Sequence, residues 1–182
     1  MIRPEDAVIV NSKTPPASAI DGTRGDELGA YLSGLGPTLR NVTSAALAVA
    51  RIDELGWAPL GGYCGSDVLW PVACLMCGKP VLRFYSHLRR ARPAMRHRGC
   101  VPQDQHPYLL TALSAYRADN CPCRRRHPTT VDEVAQAMDD LQHAVHKDDH
   151  SQVVAHVRAI TGPCPATAVR AEAVRALRRT SK

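Results

Sequence analysis

Residues 70–100 read WPVACLMCGKPVLRFYSHLRRARPAMRHRGC, with Cys74-x-x-Cys77 near the start and His97-x-x-Cys100 at the end, 19 residues apart. Zinc takes four nitrogen or sulfur ligands in a tetrahedron, and two short pairs brought together by a fold supply them with little strain. A lone Cys-x-x-Cys is as easily read as two small core residues, with His97 an ordinary surface histidine. The second pair at this separation is what favours metal. Cys74, Cys77, His97 and Cys100 are therefore the expected ligands of one Zn2+. His97 is the least secured of the four, with Cys64, His87 or Cys121 as alternatives to it.

Around the knuckle, residues 68–74 and 80–85 carry β-branched and aromatic side chains on either side of a glycine turn, which predicts a short hairpin. Ser86 is placed to cap a short helix over 87–92, which Pro93 stops. The same stretch holds Arg83, Arg89, Arg90, Arg92, Arg96 and Arg98, and residues 68–103 contain no acidic residue. Net charge is −2 over 1–59, +8 over 60–130, −4 over 131–160 and +4 over 161–182. A block of one sign favours a polyanion, and guanidinium groups pair bidentately with phosphate. The six arginines are thus the expected nucleic-acid contacts, with DNA as the expected partner. Arginine outnumbers lysine 19 to 4, which a GC-rich gene explains equally well, although it does not explain the clustering.

The run Gly56-Trp57-x-Pro59-Leu60, Tyr63-x-Gly65-Ser66, Trp70-x-x-x-Cys74-x-x-Cys77-Gly78, Ser86-His87-Leu88-Arg89-Arg90 and His97-x-x-Cys100 resembles the small treble-clef-like or zinc-ribbon-like modules of actinobacterial proteins. The resemblance covers about residues 55–101. In those modules a Trp precedes the first knuckle, a short helix follows the hairpin, and a second Cys-x-x-Cys closes the site. It implies a metal-stabilised binding module for nucleic acid and no catalytic chemistry. The chain departs from the pattern with His97 in place of a cysteine, Cys64 in place of a proline, and Lys79-Pro80 after the knuckle.

Outside the module, 182 residues that are 45% hydrophobic but only 4% aromatic must build a core from Ala, Val and Leu, which suits packed helices. Residues 1–25, rich in Pro, Ser, Thr and Gly, read as a flexible arm. Asp26 is placed to cap a helix over 27–33. Pro37 suits a first helical position, and Leu39, Val42, Ala46, Val49 and Ile52 follow at helical spacing until Gly56. Residues 57–66 read as turns, and 102–130 as a basic linker with one helical turn over 108–116. Thr130 and Glu133 form a capping-box signature ahead of an amphipathic helix with an acidic outer face. Val153, Val154, Val157 and Ile160 predict a return helix after a turn near 147–150, and residues 166–179 a short Ala- and Arg-rich helix. The fold class that follows is α+β, mainly α: a helical protein with a small central zinc-stabilised β-hairpin and short-helix module. Its expected divisions are a helical segment over 26–56, a zinc-finger-like module over 57–101, the linker, and a helical hairpin plus short helix over 131–182.

Two weaker metal candidates lie outside that module. One is Cys121-x-Cys123-x-x-x-His127 with His106 or Cys64, a loop that is more often just a loop. The other is His143, His146 and His150, which share a helix face only if one helix runs through all three. Catalysis is not expected, because four ligands close a zinc site and no carboxylate lies in the stretch. The alternative function is an assembly subunit that docks a second copy or an acidic protein through the helical hairpin. No apolar run reaches the ~20 residues a membrane helix needs, and the first residues lack a signal-peptide pattern, so the expected location is cytoplasmic, without a membrane partner.

Overall fold

The computed structural model describes residues 26–91, 96–119 and 127–180. The expected arm over 1–25 lies outside them. A short α1 (Asp26–Gly29) leads into α2 (Leu39–Glu54), followed by β1 (Trp57–Pro59), β2 (Leu69–Cys74), β3 (Pro80–Phe84) and α3 (Tyr85–Leu88). A single 3-10 turn (Gln103–Gln105) opens α4 (His106–Asp119), and α5 (Val131–His146), α6 (His150–Thr161) and α7 (Thr167–Thr180) complete the order. The class is α+β and mainly α. No described helix is long and apolar enough to cross a membrane.

α2 starts two residues later than Pro37 suggests. The Thr38 side chain accepts from the Asn41 amide and caps Leu39 as the first helical residue. One face of α2 buries Val42, Ala45, Ala46, Val49 and Ile52. α5 begins with the expected capping box: Thr130 Oγ1 accepts from the Glu133 amide while Glu133 reaches back to the Thr130 N–H. Its apolar stripe, Val134, Met138, Leu141 and Ala144, is buried, as are Val153, Val157 and Ile160 of α6. α2 packs against α6 and α7, and α5 packs against the same two helices from the other side. The hairpin's apolar face is therefore spent inside the molecule. At roughly 1.5–3 kcal/mol for each fully buried Val, Leu or Ile, this shared interior is the principal support of the fold.

β1, β2 and β3 form an antiparallel sheet in that order, with Trp57 opposite Cys74 and Trp70 opposite Arg83. β1 overturns the reading of 57–66 as turns only. Its Trp57 is buried against α2, and the Leu60 amide donates to the Pro71 carbonyl, so a three-residue strand forms despite Pro59. Trp70 is fully buried, donates from Nε1 to the Gly61 carbonyl at 2.9 Å, and meets Tyr63 edge-on at 5.4 Å.

Further local expectations are corrected. The helix over 27–33 stops at Gly29, because Tyr31 and Ser33 exchange backbone hydrogen bonds with Tyr63 and Leu32 forms a bridge there. That approach is so close that a Cβ on Gly62 would lie 2.3 Å from the Gly29 carbonyl oxygen. α3 follows directly from β3 with Phe84 in the cap position, which puts Ser86 inside the helix rather than ahead of it, and it ends at Leu88 with Arg89 as its C-cap. The single helical turn expected over 108–116 is instead the longer α4. His150 opens α6 rather than continuing α5, so it does not share a helix face with His143 and His146.

Candidate metal centre

The sheet and the end of α2 place the four expected ligands around one point. Cys74 closes β2, and its carbonyl accepts from the Gly78 amide at 2.7 Å across a tight turn in which Gly78 takes φ +75°. The Leu75 amide bonds the Gly56 carbonyl, which ties this knuckle to the residue that ends α2. The second pair is a turn of its own, with the Cys100 amide facing the His97 carbonyl at 3.4 Å and Gly99 at φ +78°.

Cys74 Sγ lies 3.7 Å from Cys100 Sγ, and Cys77 Sγ lies 3.3 Å from His97 Nε2. A tetrahedron with Zn–S bonds of ~2.3 Å and Zn–N bonds of ~2.05 Å has S–S edges of about 3.8 Å and S–N edges of about 3.6 Å. The sulfurs are far beyond the ~2.05 Å of a disulfide. All four ligand atoms fall within 4.8 Å of one another, so the group can hold a metal ion. The other imidazole nitrogen, Nδ1, is 3.1 Å from the Arg98 carbonyl, which orients the ring. The alternatives to His97 sit elsewhere: Cys64 Sγ faces the Leu69 carbonyl at 3.7 Å, His87 packs its ring against Phe84 at 5.4 Å, and Cys121 lies outside the described residues.

Arg96 was expected at a nucleic-acid surface and is instead part of this centre. It donates to the Leu55 carbonyl, to the Gly56 carbonyl at 2.6 Å and to Cys74 Sγ at 3.1 Å, and its guanidinium lies 4.2 Å over the Trp57 ring. Burial pushes the Cys74 thiol up, but hydrogen bonds from Arg96, His97 and the amides of Met76 and Cys77 outweigh it and bring the thiol down to about 6. Cys100 is held above its ordinary value by burial and by the neighbouring Cys74.

The remaining arginines divide. Arg83 is half-buried, 5.4 Å from the Trp57 ring, while Arg89, Arg90 and Arg98 are exposed and Arg92 lies outside the described residues. Arg89 joins Arg40 and Arg178 in lining a cleft of about 600 Å³ with hydroxyl residues that include Thr43, Ser66 and Tyr85, and with no carboxylate among the described residues. Spacing alone did not bring Arg40 or Arg178 to this surface.

A second thiol contact has no place in the predicted site. His127 Nδ1 lies 3.6 Å from Cys164 Sγ, and Arg170, which is 1% exposed, donates to the same sulfur at 3.5 Å. Burial and the Arg170 charge hold His127 below its ordinary value. Of the chain's other candidate for this cluster, Cys121 and Cys123 lie outside the described residues, His106 bonds the Val101 carbonyl at 2.9 Å, and Cys64 is on the sheet side. Comparison with known proteins finds no family model, no curated protein and no solved structure that matches this chain.

Proposed function

We propose that Cys74, Cys77, His97 and Cys100 hold a structural Zn2+, and that the zinc module presents arginines to the phosphates of a nucleic acid, DNA being the expected one. The observation that carries the zinc reading is the ligand set itself: three sulfurs and one imidazole nitrogen within 4.8 Å of one another, with Cys74 and Cys100 at 3.7 Å and Cys77 and His97 at 3.3 Å. Soft thiolates in a tetrahedron favour Zn2+ over hard cations, and four protein ligands leave no position open for substrate. The metal then staples the hairpin, the end of α2 and the loop over 96–100 to one another.

Exposed Arg89, Arg90 and Arg98 in an acid-free segment support the nucleic-acid part, together with the cleft that Arg89 shares with Arg40 and Arg178. Contacts of this kind are mainly to backbone phosphate and carry little sequence information. With three module arginines engaged, affinity for duplex DNA is expected to fall with a log–log salt slope of about −3, and Arg89→Ala or Arg90→Ala to reduce that slope by about one. Binding curves at several salt concentrations test this. Affinity independent of salt would sink the nucleic-acid reading, while metal analysis of wild type beside Cys74→Ser tests the zinc separately.

A further inference from the structure

We propose that the cleft shared by α2, α7 and the residues around α3 is a binding site for a phosphate monoester, a role separate from the duplex contacts assigned to the zinc module. Its cations come from three distant parts of the chain: Arg40 in α2, Arg89 just after α3 and Arg178 in α7. None of these three guanidinium groups forms an ion pair or a side-chain hydrogen bond among the described residues, whereas Arg51 pairs with Glu54 and Arg175 with Glu172. Like charges gathered in one concavity repel, and an anion held between them relieves that repulsion.

The rest of the wall suits a phosphate carried on an organic body. Thr43, Ser44 and Ser66 bring hydroxyl groups, which donate readily to phosphate oxygens. Thr43 and Ser44 stand three and four residues beyond Arg40 in α2, so all three share one helix face. Tyr63 and Tyr85 give the cleft an aromatic side, their rings edge to face at 5.7 Å. Tyr63 is fixed in turn by Trp70, 5.4 Å away, and by a hydrogen bond of 3.2 Å with Ser66. A cleft of about 600 Å³ on helices and packed rings has the size and rigidity of a small-molecule site. Charge selects the ester. A diester inside a strand carries one negative charge, but a monoester carries up to two and presents three terminal oxygens, a match for three guanidinium forks. A free metabolite and the 5′ end of a nucleic-acid strand both offer that group.

Isothermal titration calorimetry of the full-length protein tests the site with adenosine 5′-monophosphate beside adenosine, and with a 5′-phosphorylated single-stranded oligonucleotide beside the same strand ending in a hydroxyl. In at least one pair the phosphorylated member should bind about tenfold or more tightly, and Arg40→Ala and Arg178→Ala should each remove most of that preference. Both side chains are exposed and outside the zinc module, so circular dichroism, metal content and the duplex salt slope should stay as in wild type, which separates this site from the nucleic-acid reading above. A preference in the nucleotide pair identifies a free small molecule as the ligand, and one seen only with the oligonucleotides identifies a strand end. Wild type that ignores the phosphate in both pairs, or a preference that survives both substitutions, overturns the site.

Discussion

Arg96 donates from Nη2 to Cys74 Sγ across 3.1 Å, so one of the arginines of the basic segment is a partner of the metal centre rather than of the solvent. The same guanidinium satisfies the carbonyls of Leu55 and Gly56 at the end of α2. Arg96→Ala is therefore expected to lower stability by about 2–4 kcal/mol, the range for losing hydrogen bonds to a charged group and leaving partners unmet. Thermal melts should show it. Its DNA salt slope should match wild type, whereas Arg89→Ala should leave the melt in place and change the slope.

The low-lying Cys74 thiol gives a pH prediction for the metal-free chain. Its value falls from an ordinary 9.0 to about 6 in the folded state. A depressed acid stabilises the fold fully above its unfolded value and loses that contribution as pH drops through the folded one. Stability tied to this group should thus be complete above about 9, and gone below about 6. Thiolate absorbance followed by pH should show one step near 6 that moves upward in Arg96→Ala. An unmoved step would separate the arginine from the thiol.

Removal of metal should act unevenly on the two halves of the molecule. The sheet has three short strands, whereas α2, α5, α6 and α7 share a large apolar interior. A strong chelator is expected to shift the fluorescence of buried Trp57 and Trp70 while most of the helical circular dichroism persists. Equal loss of both signals would show that the metal supports the entire fold.

The helical hairpin offers a third contrast. Leu141 is fully buried and Val145, one turn on, is 44% exposed. Leu141→Ala should cost about 2–5 kcal/mol, and Val145→Ala about 0.5 kcal/mol or less. Denaturant titration distinguishes them. Because the apolar face is already covered by α2 and α7, light scattering of the two variants should report the same molecular size as wild type.

Local patterns carried most of the secondary structure: the strands flanking the knuckle, the capping box at Thr130 and Glu133, and the valine spacing in α6 all work within a few residues. β1 was hidden because its three residues include Pro59 and sit among glycines; only pairing with β2 makes them a strand. The direction of an arginine is not a local property. Arg96 turns inward because carbonyls 40 and 41 residues earlier in sequence stand next to the knuckle. His127 and Cys164 likewise meet only through the packing of three helices, and neither belongs to a metal spacing with the other.

The end of α2 sets a rule for how this chain can change over time. Each added residue in a helix turns the positions after it by about 100° and advances them ~1.5 Å. An insertion or deletion between Thr38 and Leu55 would rotate the Leu55 and Gly56 carbonyls away from Arg96 and Leu75, taking the knuckle out of alignment with its anchor. Among descendants of this sequence the length of α2 should therefore be invariant even where its exposed residues drift.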